Sequence, residues 1–249
     1  MPWSSKPHGF RALFTWCLRQ VACHSPWFRM LKCMRDTFYD ELDAVVDDLV
    51  AMTAAVRKAV REATEALINA DGDKAESVIA ADKEIDEARR IIEERSLLLL
   101  ATQQPVATDL RQLVATLRMV ADLERMGDLS VHIAKVARMR LPEVAVPESV
   151  RPIIDTMAEV ADRMIESASR IVAERDLDAA AELETEDDQM DGAHRALFRE
   201  LLGDEWNYGV EPAIDMALIG RYYERIGDHA VSMARRVVFL VTGEMRRSS

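Results

Sequence analysis

The stretch "ERMGD" at Glu124–Asp128 returns as "ERIGD" at Glu224–Asp228, one hundred residues further on. Around both copies the apolar residues recur at helical spacing. At this offset Val114, Leu117, Arg125, Gly127, Val131 and Lys135 meet Ile214, Ala217, Arg225, Gly227, Val231 and Arg235. Upstream, "DKEIDEA" at Asp82–Ala88 meets "DDQMDGA" at Asp187–Ala193, now at an offset of 105. Self-similarity at a near-constant offset marks a duplicated structural unit. The change of offset is expected in the last turn of the second half, which should differ by a few residues.

Working outward, the chain reads as three helices, a linker and three helices. Leu42, Val45, Val46, Leu49, Met52, Val56, Val60, Ala63 and Leu67 set the period of a first helix, from Asp36 to about Asn69. "NADGD" stops it. A second helix runs from about Asp73 to Leu100, and Pro105 after "TQQP" suits the first turn of a third, to about Arg140. "LPEVAVPESVRP" carries three prolines and reads as the linker. Further helices are expected at about Pro152–Arg175, Leu177–Leu202 and Ala213–Val241. No stretch alternates like a strand between hairpin turns. The predicted fold is all-α, two pseudo-symmetric three-helix bundles: residues 34–141 and 152–243, joined by the linker 142–151 and followed by a short tail, 244–249.

Composition supports long helices. Charged residues make up 31% and aromatics 6%, and helix breakers are few. The net charge of −12 hides a split. Residues 1–33 hold Lys6, Arg11, Arg19, Arg29 and Lys32 and no acid, which leaves 27 basic against 44 acidic residues in the rest. A body of that charge repels nucleic-acid phosphates and suits cations or a basic partner surface. All three cysteines (Cys17, Cys23, Cys33) lie in residues 1–33. The body therefore needs no disulfide and fits a reducing cytoplasm. "FRALFTWCLRQVAC" is broken by Arg11 and Arg19 and is too short to span a membrane. Residues 1–33 read as a poorly ordered extension, with "MRDTFYDEL" at Met34 as a natural beginning.

The third helix reads as a seam of Leu110, Val114, Leu117, Ala121, Glu124, Asp128, Val131 and Lys135, apolar at first and then acidic. Glu124 and Asp128 stand i,i+4, on one helix face. Asp82 and Asp86 form a matching pair on the second helix. If the turn is tight, the two helices run antiparallel. The centre of the four positions falls at residue 105, in the expected turn, so the pairs lie at one height. In the second half Asp187, Asp191, Glu224 and Asp228 centre inside "GDEWNYGVEP" in the same way. Four carboxylates from two helices form a hard oxygen site suited to Mg²⁺, Mn²⁺, Ca²⁺ or iron rather than zinc. Duplication in register separates such a site from chance acidic spacing on a charged helix. Arg125 and Arg225 are expected to pair with acids of neighbouring turns. His132, opposite Ser232 in the repeat, is expected to be an ordinary polar residue. Gly127 and Gly227 imply close helix approach or room beside the carboxylates.

The paired E-R-[IM]-G-D motifs with their D-x-x-x-D partners resemble the PhoU family of phosphate-transport accessory regulators, from about Met34 to Gly243. "PVATDLRQLVATLRMVADLERMGD" is similar to that family's pattern throughout. The resemblance implies two three-helix bundles, a homodimer and a cytoplasmic protein. It implies repression of phosphate-starvation signalling, the Pho regulon, when phosphate is plentiful. It further implies contacts with the ATPase subunit of the phosphate importer and with a phosphate-sensing histidine kinase, the membrane being reached only through these partners. The ligand set carried over is Asp82, Asp86, Glu124 and Asp128, with Asp187, Asp191, Glu224 and Asp228, holding iron, magnesium or manganese. Residues 1–33 lie outside the resemblance.

Competing readings are a ferritin-like di-iron protein, a PhoU-like accessory of another transporter, and a helical adaptor whose acids are surface charge. The di-iron class uses Glu-x-x-His pairs, whereas Gly127 and Gly227 stand at that step. No nucleophile–base constellation and no nucleotide-binding glycine loop is present, so the sequence predicts a regulator and not an enzyme.

Overall fold

A computed structural model describes residues 26–243, with side chains from residue 35 onward. The expectations for residues 1–25 and for the tail lie outside the described residues. Among the described residues the chain forms six helices and no strand: α1 (Pro26–Asn69), α2 (Gly72–Gln103), α3 (Ala107–Arg140), α4 (Arg151–Glu174), α5 (Leu177–Leu201) and α6 (Val210–Thr242). The protein is thus all-α, and the five later helices begin and end within a few residues of their expected bounds. The first begins ten residues early, at Pro26 rather than Asp36; proline is well tolerated in the first turn of a helix. No described helix is long and apolar enough to cross a membrane.

Local chemistry sets the helix ends. Asp71 caps α2 by accepting from the Lys74 amide at 2.9 Å, and Asp176 caps α5 by accepting from the amides of Asp178 and Ala179. The turn between α2 and α3 covers residues 104–106, with Gln104 in the left-handed region; that between α5 and α6 covers 202–209. The second turn is the longer one, although the second half is the more compact between its motifs. The change of offset in the repeat therefore reflects shorter helices on either side of a longer turn.

The described residues divide after Ala44 into two units. In the first, the Arg35 guanidinium lies 5.6 Å from the centre of the Tyr39 ring. The second unit holds the rest of α1 and all of α2–α6. Its outer helices bury narrow stripes seven residues apart: Val78, Ile85, Ile92 and Leu99 on α2, and Leu183, Met190 and Leu197 on α5. Such a stripe suits a helix with one neighbouring face.

α3 and α6 are central and antiparallel. Along their contact Asp122 bonds Arg236 and meets His229 at 3.1 Å, His132 stacks on Tyr222, and Arg140 bonds Asp215 at 2.6 Å. α1 closes onto the second bundle: Arg57 grips Asp162 of α4 through two bonds of 2.8 and 2.7 Å, and the Thr64 and Tyr223 hydroxyls lie 2.7 Å apart.

The expected seam of α3 is corrected by this packing. Leu110 and Val114 are exposed, at 41% and 38% of their surface, while Leu113, Thr116, Val120, Leu123, Gly127, Ser130 and Ala134 are buried. A helix enclosed by neighbours buries most of its circumference, small and polar residues included. The most exposed stripe runs through Val114, Arg118, Ala121, Arg125 and His132, and Glu124 and Asp128 stand half-buried at its edge.

Candidate metal centre

Both acidic quartets form on the outer grooves of the second unit, one between α2 and α3 and one between α5 and α6. The narrow buried stripe of α2 places Ile85 against α3 and leaves Asp82 and Asp86 at the groove's edge. Gly127 makes the approach possible: a Cβ there would lie 3.3 Å from Ile85 and 3.8 Å from Asp82 Oδ1. In the second half a Cβ on Gly227 would lie 3.1 Å from the Met164 sulfur and 3.7 Å from Met190. The repeated glycines therefore serve close helix packing beside the carboxylates.

Electrostatics shows which charges converge. Partial burial raises the Asp82 carboxyl above the ordinary aspartate range, and the charges of Asp86, Asp128 and Glu124 push it the same way; Lys135 opposes them. Asp187 is raised by burial and by Asp191 and Asp228, against Arg235. Asp228 is raised by burial, by Glu224 and by Asp191, against Arg221 and His229. All eight predicted positions thus fall into two groups, each flanked by the basic residue one repeat position beyond, Lys135 or Arg235.

Arginines hold these carboxylates apart. Arg89 of α2 donates to Glu124 Oε1 at 3.1 Å and Arg125 to Asp128 Oδ2 at 3.2 Å. In the second group Arg221 bonds Glu224, and Arg195 lies 3.6 Å from Asp191. Accordingly, among the described residues, no three His, Cys, Asp or Glu side chains close on a single point. Each groove is nonetheless rich in carboxylate oxygen, the donor type of a hard cation, and like charges help to raise Asp82, Asp187 and Asp228 above the ordinary range. Beside Asp187, the Glu186 side chain is attended by Ser167 and Arg163, yet its Oε2 is buried without a hydrogen bond. The arginine bridges are partly exposed, so their replacement by a cation costs little.

Several groups at or near the site lie beyond the expected eight. Arg89 and His194 occupy one position of the repeat, a turn past the second aspartate; extending the alignment of "DKEIDEARR" with "DDQMDGAHR" by that turn exposes the difference. Asp122, only 8% exposed in the α3–α6 contact, carries no sequence signal, because its repeat partner is Tyr222. Of the readings made for single residues, Arg125 does pair with acids of its own helix, Glu124 and Asp128. His132 is a surface residue stacked on Tyr222, and Tyr223 is fully buried.

A duplicated three-helix unit with an acidic quartet on each outer groove defines a class of all-α, two-bundle proteins. The PhoU domain model matches twice, over residues 49–137 and 154–237, each match enclosing one quartet. The chain belongs to the PhoU family. It is 43% identical over 210 residues to the phosphate-specific transport system accessory protein PhoU homolog 2 of Mycobacterium tuberculosis, which covers 84% of this chain and 99% of that protein. It is 33% identical to a homolog from Clostridium acetobutylicum over 84% of this chain and 96% of that one. Among solved structures it is similar to PhoU from Pseudomonas aeruginosa (TM-score 0.78, 32% identity, 83% of this chain and all of that one). It is also similar to the phosphate transport system regulatory protein PhoU from Streptococcus pneumoniae (TM-score 0.77, 26% identity, 85% of this chain and all of that one).

Proposed function

We propose that this chain is a phosphate-transport accessory protein that restrains phosphate-starvation signalling and modulates phosphate uptake. It acts by occupying partners, the ATPase subunit of a phosphate importer and a phosphate-sensing histidine kinase, from the cytoplasm and as a homodimer. Asp82, Asp86, Glu124 and Asp128, with Asp187, Asp191, Glu224 and Asp228, hold magnesium, manganese or iron cations, which relieve the like charge in each groove. The observation that carries this reading is the coincidence of two family-domain matches with two acidic quartets in one chain. The net charge of −12 agrees with a role among protein partners and cations rather than nucleic acid.

The test is genetic. Deleting the gene should raise expression of a high-affinity phosphate transporter in phosphate-replete medium, and residues 34–249 alone should reverse it. Expression that stays low in the deletion strain, with no related copy to compensate, refutes the regulatory role. The cation part is tested apart: Asp128→Ala with Asp228→Ala should lower the metal content of the purified protein. Unchanged content places the sites elsewhere.

A further inference from the structure

The two halves close their outer grooves differently at the end away from the turn. In the first half the start of α2 meets the end of α3, and the chain that follows α3 covers that place. The Leu141 side chain lies over Gly72, where a Cβ would come within 2.7 Å of it, and Arg138 donates to Glu76 Oε1 at 2.8 Å across the groove. In the second half the matching residues are Val241 over Leu177, and Val238 with Ala181. The ion pair is thus replaced by two apolar side chains, and the leucine by a shorter valine that is 48% exposed. The result is a cavity of about 260 Å³ between the start of α5 and the end of α6, walled mainly by Leu177, Ala180, Ala181, Ala234 and Val238.

That volume lies below the roughly 300–1,000 Å³ of small-molecule sites and suits a side chain. The repeat indicates which one. The cover of the first half comes from the chain that follows α3, and its counterpart is the chain that follows α6. The path is short. Thr242, the last residue of α6, itself lines the cavity. Gly243 stands in the left-handed region at φ 76°, a conformation that swings the chain off the helix axis. Beyond the described residues the sequence continues Glu244-Met245-Arg246-Arg247. Met245 comes two residues after Gly243, about 7 Å of extended chain, and its unbranched thioether adapts to an irregular apolar space. Two arginines follow it, and Glu184 lines the cavity at the position where the first half has Ile79.

We propose that the segment after α6 folds back on its own groove, with Met245 entering the α5–α6 cavity and the arginine pair facing Glu184. Docked there, it closes the cavity to apolar side chains of a partner or of a second copy. The second half then carries a displaceable cover where the first half has a fixed one.

The test uses the full chain made with photo-methionine, as ¹⁵N-labelled and unlabelled copies refolded together, irradiated and digested with trypsin. Cross-links from position 245 should reach α5 near Ala180 and Ala181 and should join peptides of one label. Met245→Ala should lose them. Ala181→Phe, which fills the cavity from an exposed position of α5, should lose them too, with helical circular dichroism unchanged. Arg111 of α3 supplies the internal control, because its guanidinium would lie 3.0 Å from a Cβ on Gly243. Cross-links that fall around Arg111 as often as on α5 reveal a segment without a preferred site and overturn the proposal. Links that survive Ala181→Phe, links that join only labelled to unlabelled copies, or no link from position 245 to α5 overturn it as well.

Discussion

Three glycines on α3 and α6 face different neighbours, and the neighbour decides what an added methyl group does. Each Gly→Ala change recovers up to about 1 kcal/mol of helix propensity. Gly227 faces the thioether of Met164, which is flexible and can retreat. Gly127 faces Ile85, a stiff β-branched side chain only 4% exposed. At Gly220 the new Cβ would meet Leu197 Cδ2 at 2.5 Å. Thermal unfolding of the whole chain should place Gly227→Ala at or above wild type and Gly127→Ala below it, a difference of about 2–4 °C. Gly220→Ala should lose about 1–3 kcal/mol through overpacking. Asp122 offers a second test. It compensates Arg236 and meets the His229 ring inside the α3–α6 contact, so Asp122→Ala should cost about 2–3 kcal/mol in denaturant unfolding. That lies below the figure for a fully enclosed pair, because 25% of the Arg236 side chain still meets water.

Among the elements, α1 and α4 are joined by the Arg57–Asp162 fork, which also reaches Glu166. The Arg57 hydrogen bonds hold the Asp162 carboxyl below the ordinary aspartate range, against the opposing effect of burial. A depressed folded-state value means that the pair stabilises the protein above the ordinary range and that this contribution is lost as pH falls through the depressed value. Arg57→Met should therefore cost about 1–2 kcal/mol near pH 7. The gap to wild type should narrow in acid unfolding curves; a gap independent of pH contradicts the assignment. The elements themselves were legible: period, breakers and the repeat located α2–α6 and put both acidic pairs at one height. The buried face of α3 was not. An enclosed helix has no single apolar stripe, and Gln112, Thr116, Asp122 and Ser130 are buried among its apolar residues. The arginine bridges were equally hidden, since spacing alone tells nothing of which long side chain reaches across a groove.

At the scale of the molecule, α3 and α6 make the two bundles one body within Val45–Ser249. Heat or denaturant should unfold that body in one transition, with circular dichroism and tyrosine fluorescence coinciding. The second bundle expressed alone, residues 142–249, would expose the face of α6 that holds Tyr223, Met216 and Met233, all fully buried here. It should associate or lose helix content, as seen by size-exclusion chromatography and circular dichroism; a stable helical monomer refutes this. The contact between the halves is also not self-matching. Asp122 lies opposite His229 and Arg236, whereas the first-half residues at those repeat positions are Leu129 and Val136. The mirrored place is taken by Tyr222 against His132. The two halves have thus become a lock and its own key, no longer interchangeable. A chain made of the first half written twice would bury two carboxylates against leucine and valine, and could not close.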